Sequence, residues 1–206
     1  KLGVTAVAIV APYYYPVSAE GVYAYFSEIG RNTPIDVTLY NIPMFAAPIE
    51  LETAQRLAGE CERIVAIKDS SGDLDSMQQM LATIRPIRPD FCFMTGWDAE
   101  LLAMLRLGCD GGTNASSGVA PELTRALFDA VSEGRNKEAE ALQERISRIF
   151  NAHFGAADFP DGFRIGVGLR GFETGPGRMP RSALQRTQGE QARETLGALL
   201  HDEELI

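Results

Sequence analysis

The chain has 206 residues, 45% of them hydrophobic and 23% charged, and carries a formal net charge of -9. This length and composition suit one globular domain with a sizeable core and exclude a disordered chain. The acidic balance excludes nucleic acid and anionic membranes as default partners, because both require a basic footprint, although a small anionic substrate responds only to the local field.

Taken in order, strand and helix signals alternate. Residues 4–11 are apolar and rich in branched side chains, and they end at Pro12 and three tyrosines, Tyr13, Tyr14 and Tyr15. Ser18 can cap a helix that carries Val22, Phe26 and Ile29 on one face. The second strand is predicted over 36–40, and Pro48 is expected to open a helix with Leu51, Ala54 and Leu57 inward. A short apolar run, 64–67, then stops at Lys68. A helix over 74–84 and a strand over 91–95 follow, and Asp98 is expected to cap the next helix. A glycine-rich strand over 109–113 precedes a helix that begins at Pro121.

Such alternation implies a parallel sheet covered by helices, either open and doubly wound or part of a (β/α)8 barrel. Beyond Glu133 the pattern turns purely helical, with apolar spacing over 136–154 and a last helix from about 190 to 201. Between them, 155–188 is rich in glycine, arginine and proline without clear periodicity. The expected organisation is therefore residues 1–134 as βα units and 135–206 as a helical extension of the same structural domain. Cys61, Cys92 and Cys109 are scattered, lack CxxC spacing and read as reduced thiols. No run approaches a membrane span and no basic segment leads into a cleavage site, so the expectation is a soluble, cytoplasmic protein.

In a parallel α/β protein the chemistry collects at the carboxyl ends of the strands. Those ends carry Tyr13 to Tyr15, then Tyr40 and Asn41, then Lys68, Asp69 and Ser70, then Gly96, Trp97 and Asp98, and finally Thr113 and Asn114. Lys68 draws the eye because desolvating an ammonium is costly, and a lysine placed in a buried strand tends to become a neutral amine, a nucleophile towards carbonyls. The bland alternative is a lysine that ends its strand and reaches solvent. A lysine and a phenol at adjacent strand ends suit imine chemistry, in which the iminium serves as electron sink and the phenol carries protons. Each tyrosine could equally be a ring packed at the sheet rim with its hydroxyl satisfied.

The blocks APYYYP at 11–16, LYNIP at 39–43, IKDSSGD at 67–73, TGWD at 95–98 and GCDGGTNAS at 108–116 resemble the dihydrodipicolinate synthase and N-acetylneuraminate lyase family, in order and in register. The resemblance implies a (β/α)8 TIM barrel, of which this chain would cover strands 4–8, and a pyruvate-dependent class I aldolase or lyase, usually a homotetramer. It implies that Lys68 is the Schiff-base lysine, Tyr40 the proton-shuttling tyrosine and Tyr14 the tyrosine of a relay or subunit contact. Thr113 and Asn114 would line the pocket floor, with Ser70, Gly96 and Asp98 against the rest of the substrate. No cofactor or metal is implied beyond the covalent lysine imine; the partners are a 2-oxo acid such as pyruvate, an aldehyde and further copies of the chain.

Departures narrow the expectation. Where synthases of the family hold a second carboxylate with arginine, Phe45 stands here, beside Met44. This argues against the synthase reaction and for the sugar-acid lyase and 2-keto-3-deoxygluconate aldolase branch. Asn114 and Ala115 replace the Gly-Ser pair usual in the sialic acid enzyme. Met44 and Phe45 would suit an apolar or aromatic aldehyde half. The family's first three strands have no counterpart, and five strands cannot close an eight-stranded barrel, so the sequence reads as the later part of a barrel of roughly 300 residues. Two further readings stay open: a 2-oxo acid hydratase or dehydratase sharing the same imine, and a non-catalytic binding homologue. Gly166, Gly168 and Gly171 spell GxGxxG, but outside a βαβ unit, so no dinucleotide site is expected. His153 and His201 lack ligand spacing, and His153 falls on an apolar helix face.

Overall fold

The computed structural model describes residues 3–175, 177 and 179–206; Pro176 and Arg178, in the aperiodic glycine- and proline-rich stretch, fall outside it. The chain forms two compact units, Lys1–Thr113 and Asn114–Ile206. The division comes before the 134/135 boundary read from the sequence, because the helix that begins at Pro121 packs on the long helix that follows it.

The first unit is a sheet of five parallel strands with helices between them. The strands are β1 (Ala6–Val10), β2 (Asp36–Asn41), β3 (Ile64–Asp69), β4 (Cys92–Thr95) and β5 (Gly111–Gly112). The helices are α1 (Ala19–Asn32), α2 (Leu51–Glu60), α3 (Leu74–Ile84) and α4 (Leu101–Leu107). Spatial order follows chain order, β1-β2-β3-β4-β5, with no reversal. A doubly wound sheet needs a switch point where the order turns back. Winding in one direction is the barrel pattern, and it explains why all the helices lie on one face.

Side-chain alternation divides the sheet. Val37, Leu39, Ile67 and Phe93 are fully buried on the helix-covered face, with Phe26, Leu57, Met77, Met80 and Ile84 packed into the same core. The opposite face carries Tyr40, Lys68, Cys92 and Met94, all only half-buried. Ser18 caps α1 through a bond from the Gly21 N–H, and Asp73 caps α3 through one from Ser76.

Three local expectations are corrected. Helix α2 starts at Leu51 instead of Pro48, because the Ala47 N–H is bound to the Pro12 carbonyl and the Ile49 N–H to the Asn41 side chain, which keeps this segment extended. Asp98 does not stand just before an α-helix; it is buried in a 3-10 turn, Asp98–Glu100, that leads into α4. The glycine-rich strand shrinks to Gly111–Gly112, where no side chains are available to hold a longer pairing.

The second unit holds α5 (Pro121–Ser132), α6 (Asn136–Ala156), α7 (Asp161–Leu169) and α8 (Ala183–Asp202). Helix α7 lies in the stretch without readable period, and it contains Gly166 and Gly168 of the GxGxxG string, as expected of a segment that is no nucleotide loop. Ser182 and Gln185 form a capping box that starts α8 earlier than the apolar spacing suggests. Among the described residues no helix is long and apolar enough to cross a membrane.

Among the described residues of this unit, Glu203 and His153 carry displaced pKa values that act on its acid limb. Glu203 is buried and bonded by Arg145 at 2.7 Å and Arg148 at 2.7 Å; burial alone would raise its pKa, but the two guanidiniums outweigh it and hold the carboxyl below its ordinary 4.5. A depressed carboxyl pKa contributes stability that is complete above the unfolded value and lost as pH falls through the folded one. His153 is the opposite case. Its Nδ1 donates to the Ile149 carbonyl at 2.7 Å, its Nε2 has no partner, and burial lowers its pKa from 6.5. The unfolded chain then takes up the histidine proton first, so stability falls as pH drops below about 6.5. Unfolding monitored by pH is expected to show His153→Met flattening the limb just below neutrality. Glu203→Gln should cost about 2–3 kcal/mol at pH 7, the loss of charge-assisted bonds to a buried acceptor, and that difference should vanish well below pH 4.5.

Candidate active site

The sheet register places the two key residues side by side: Tyr40 pairs with Lys68, and Lys68 with Met94. Both sit at the carboxyl ends of their strands on the face without helices. The Lys68 Nζ lies 3.8 Å from the centroid of the Tyr40 ring. Phenol and amine are thus held in contact by two adjacent strands, which is a rigid way to position them. Lys68 is half-buried, so its amine is anchored by packing yet reachable.

Two more predicted residues join them. A Cβ at Gly96 would fall 2.0 Å from Ser70 Oγ, 2.4 Å from Lys68 Cε and 3.2 Å from Lys68 Nζ. Gly96 is therefore glycine because the lysine and the serine occupy the space a side chain would need. Its N–H donates to the Asp69 carbonyl at 2.6 Å, which fixes the β4 loop against β3. Gly72, at φ +76 in the turn after β3, packs beneath the indole of Trp97. Thr113 lies at the sheet edge, its N–H on the Thr95 carbonyl at 2.8 Å and its hydroxyl facing the Met94 sulfur at 3.8 Å.

The remaining predicted residues are placed differently. Asp98 is buried in its turn, two residues after Gly96. Asn114 opens the second unit, where its side-chain nitrogen is buried without a hydrogen-bond partner. Tyr14 is 96% exposed and has φ 86, a left-handed backbone that costs a tyrosine about 1 kcal/mol or more. Phe45 is 51% exposed. It lines a cleft of about 350 Å³ shared with Tyr13, Tyr14, Tyr15 and small apolar residues, and none of the lining side chains is charged. The bond from Ala47 to Pro12 ties the two loops that form this cleft.

Cys92 and Cys109 are poor competitors for an electrophile. Burial and the nearby Asp110 carboxylate push the Cys109 thiol up to about 12 and raise Cys92 as well, so both stay protonated near neutrality. The sequence placed Asn41 and Asp69 at the strand ends but gave no role to this polar pair beneath the site. Its signal was available: a polar residue directly follows Tyr40 in β2 and another directly follows Lys68 in β3.

The model of the dihydrodipicolinate synthetase family matches residues 1–199. The chain belongs to this family. Among its curated members, an uncharacterized DapA-like lyase of Thermococcus onnurineus is 30% identical over 201 residues, covering 98% of this chain and 68% of the relative. A probable 2-dehydro-3-deoxy-D-pentonate aldolase of Escherichia coli, YjhH, is 32% identical over 148 residues, or 71% of this chain and 49% of the relative. Dihydrodipicolinate synthase of Thermotoga maritima superposes with a TM-score of 0.89 at 25% identity, over 100% of this chain and 68% of that one. YagE, a family member from Escherichia coli solved in complex with pyruvate, gives 0.84 at 25% identity over 96% of this chain and 67% of that one. The chain thus spans half to about two thirds of the length of these relatives. The fold is that of the family's barrel, of which the five parallel strands form a part.

Proposed function

We propose that this family member is a class I aldolase that makes or breaks a carbon–carbon bond between pyruvate and an aldehyde. The observation that carries the reading is the Lys68 amine resting on the Tyr40 ring at the open end of the sheet. In the cleavage direction the neutral amine adds to the 2-oxo carbon, water leaves and an iminium forms. The Tyr40 phenolate takes the proton from the 4-hydroxyl, the C3–C4 bond breaks, and its electron pair moves into the iminium to give an enamine and a free aldehyde. Protonation at C3 and hydrolysis release pyruvate and restore the lysine. The electron sink is the imine itself, so the scheme invokes no cofactor. Ser70 and Gly96 border the amine, Thr113 lies against Met94 on the next strand, and all three would contact the pyruvate half. Tyr14, offered outward, is assigned to a proton relay or to a contact with a second copy of the chain.

For the aldehyde half we favour an apolar or aromatic compound, because the cleft beside Phe45 presents phenols and hydrocarbon but no charge to pair with a carboxylate or phosphate. The test is borohydride trapping of the full-length protein with pyruvate, followed by peptide mapping and then an aldehyde panel. A reduced pyruvate adduct on Lys68 and faster reaction with benzaldehyde than with a phosphorylated aldehyde are expected. Failure of a folded, full-length protein to trap pyruvate would sink the aldolase reading. Gly96→Ala should slow trapping about 10- to 100-fold, the cost of a misplaced reacting group, while the protein stays folded, since the added methyl meets only side-chain atoms that can swing away.

A further inference from the structure

The last register pair of β2 and β3 is Asn41 opposite Asp69, on the helix-covered face directly behind Tyr40 and Lys68. Both residues are buried, Asp69 at 1% exposure. Asn41 Nδ2 donates to Asp69 Oδ1 at 2.5 Å, and Asn41 Oδ1 accepts from the Ile49 N–H at 3.0 Å. Asp69 Oδ2 accepts from the Ser71 N–H at 3.1 Å and from its hydroxyl at 2.5 Å, and that hydroxyl in turn accepts from the Asp73 N–H at 3.1 Å. A carboxylate taken out of water and held by neutral donors is costly to bury. Core packing needs nothing of the kind, since Leu39 and Ile67 fill the same face one step below.

We infer that Asn41 and Asp69 are positioning residues, a buried brace that locks the offset of β2 against β3 and thereby the placement of the Tyr40 phenol against the Lys68 amine. The main chain carries the effect further. The Asn41 carbonyl accepts from the Ser70 N–H at 2.8 Å and the Asp69 carbonyl from Gly96, so Ser70 and Gly96, beside the lysine, are each tied to one end of the brace. Alternation turns Asp69 away from the face that holds Lys68, so the carboxylate acts through the backbone and does not exchange protons with the imine. This inference rests on the imine reading of Lys68.

The brace can be inverted without being dismantled. In Asn41→Asp/Asp69→Asn the new Asn donates to the new Asp, the new Asp accepts from Ile49, and the new Asn oxygen accepts from Ser71, so every bond is rebuilt and only the one between the pair reverses its direction. Each single substitution breaks it: Asp69→Asn sets an amide nitrogen against a donor at one end or the other, and Asn41→Asp sets two carboxylates in contact. With full-length protein, the single-turnover rate of pyruvate trapping at saturating pyruvate should fall about 10- to 100-fold in each single variant. The concentration of pyruvate at half-saturation should stay within about threefold, and the double variant should recover to within about threefold of wild type. Single variants that lose only thermal stability, with the folded protein trapping at the wild-type rate, would overturn the brace. A folded double variant that stays as slow as the singles would also overturn it. If the wild-type protein itself fails to trap pyruvate, the imine reading falls and takes the brace with it, an outcome distinct from the other two.

Discussion

Lys68→Met is expected to abolish borohydride trapping of pyruvate and to lower aldol cleavage by roughly 10⁴- to 10⁶-fold, the scale on which removal of a covalent nucleophile acts. The side chain chosen matters. Lys68 lies on the face of the sheet that the helices leave open, half-buried, with its methylene stem against Gly96 and its nitrogen over the Tyr40 ring. Methionine keeps the unbranched stem and its contact with the ring while deleting the amine, so the thermal midpoint should move little. Mass spectrometry of the reduced protein reads the first effect, and a coupled assay for released pyruvate reads the second. A trapped adduct persisting on another lysine would overturn the assignment. The variant's unchanged unfolding curve is what separates lost chemistry from lost structure.

Much of this site was legible because parallel βα units put chemistry at strand ends, and the ends can be counted in the sequence. The runs before Tyr40 and Lys68 are short and apolar, and they end where the structure ends β2 and β3 to within about two residues. The polar residues after them then fall on one rim. What stayed hidden depended on pairings between strands. Nothing local says that the residue after Tyr40 hydrogen-bonds the residue after Lys68; only the register does. Helix α7 was illegible for a related reason. A Cβ on Gly162 would fall 1.8 Å from the His153 carbonyl oxygen, and one on Gly166 would fall 2.4 Å from His153 Nε2. These glycines let α6 and α7 approach closely, so they dilute the helical period that would have marked the segment. The start of α8, by contrast, was there to read: Ser182 followed three residues later by Gln185 is a capping box, and apolar spacing alone placed the helix too late. The short β5 shows the reverse error, in which a glycine-rich string suggested more strand than hydrogen bonding sustains.

Tyr40→Phe should divide the reaction in a way that Lys68→Met cannot. The ring remains, so its contact with the lysine nitrogen and its packing at the end of β2 are kept, and only the hydroxyl is lost. Pyruvate needs no proton removed from a C4 hydroxyl in order to form its imine, whereas bond cleavage does. The variant is therefore expected to trap pyruvate on Lys68, slowed by about tenfold through the loss of proton transfer at the carbinolamine. Its aldol cleavage should fall by about 10²- to 10⁴-fold, the range that a positioned general acid–base supplies. Single-turnover trapping and steady-state cleavage on the same preparation give the two numbers. Equal loss in both would mean that the phenol acts at the imine stage alone and that another group accepts the C4 proton. Normal cleavage would remove Tyr40 from the chemistry and leave it a ring that shapes the lysine's surroundings. The predicted split requires that one phenol serve both the amine it touches and the hydroxyl of the substrate bound to that amine, which is the geometric content of placing Tyr40 and Lys68 on adjacent parallel strands in direct register.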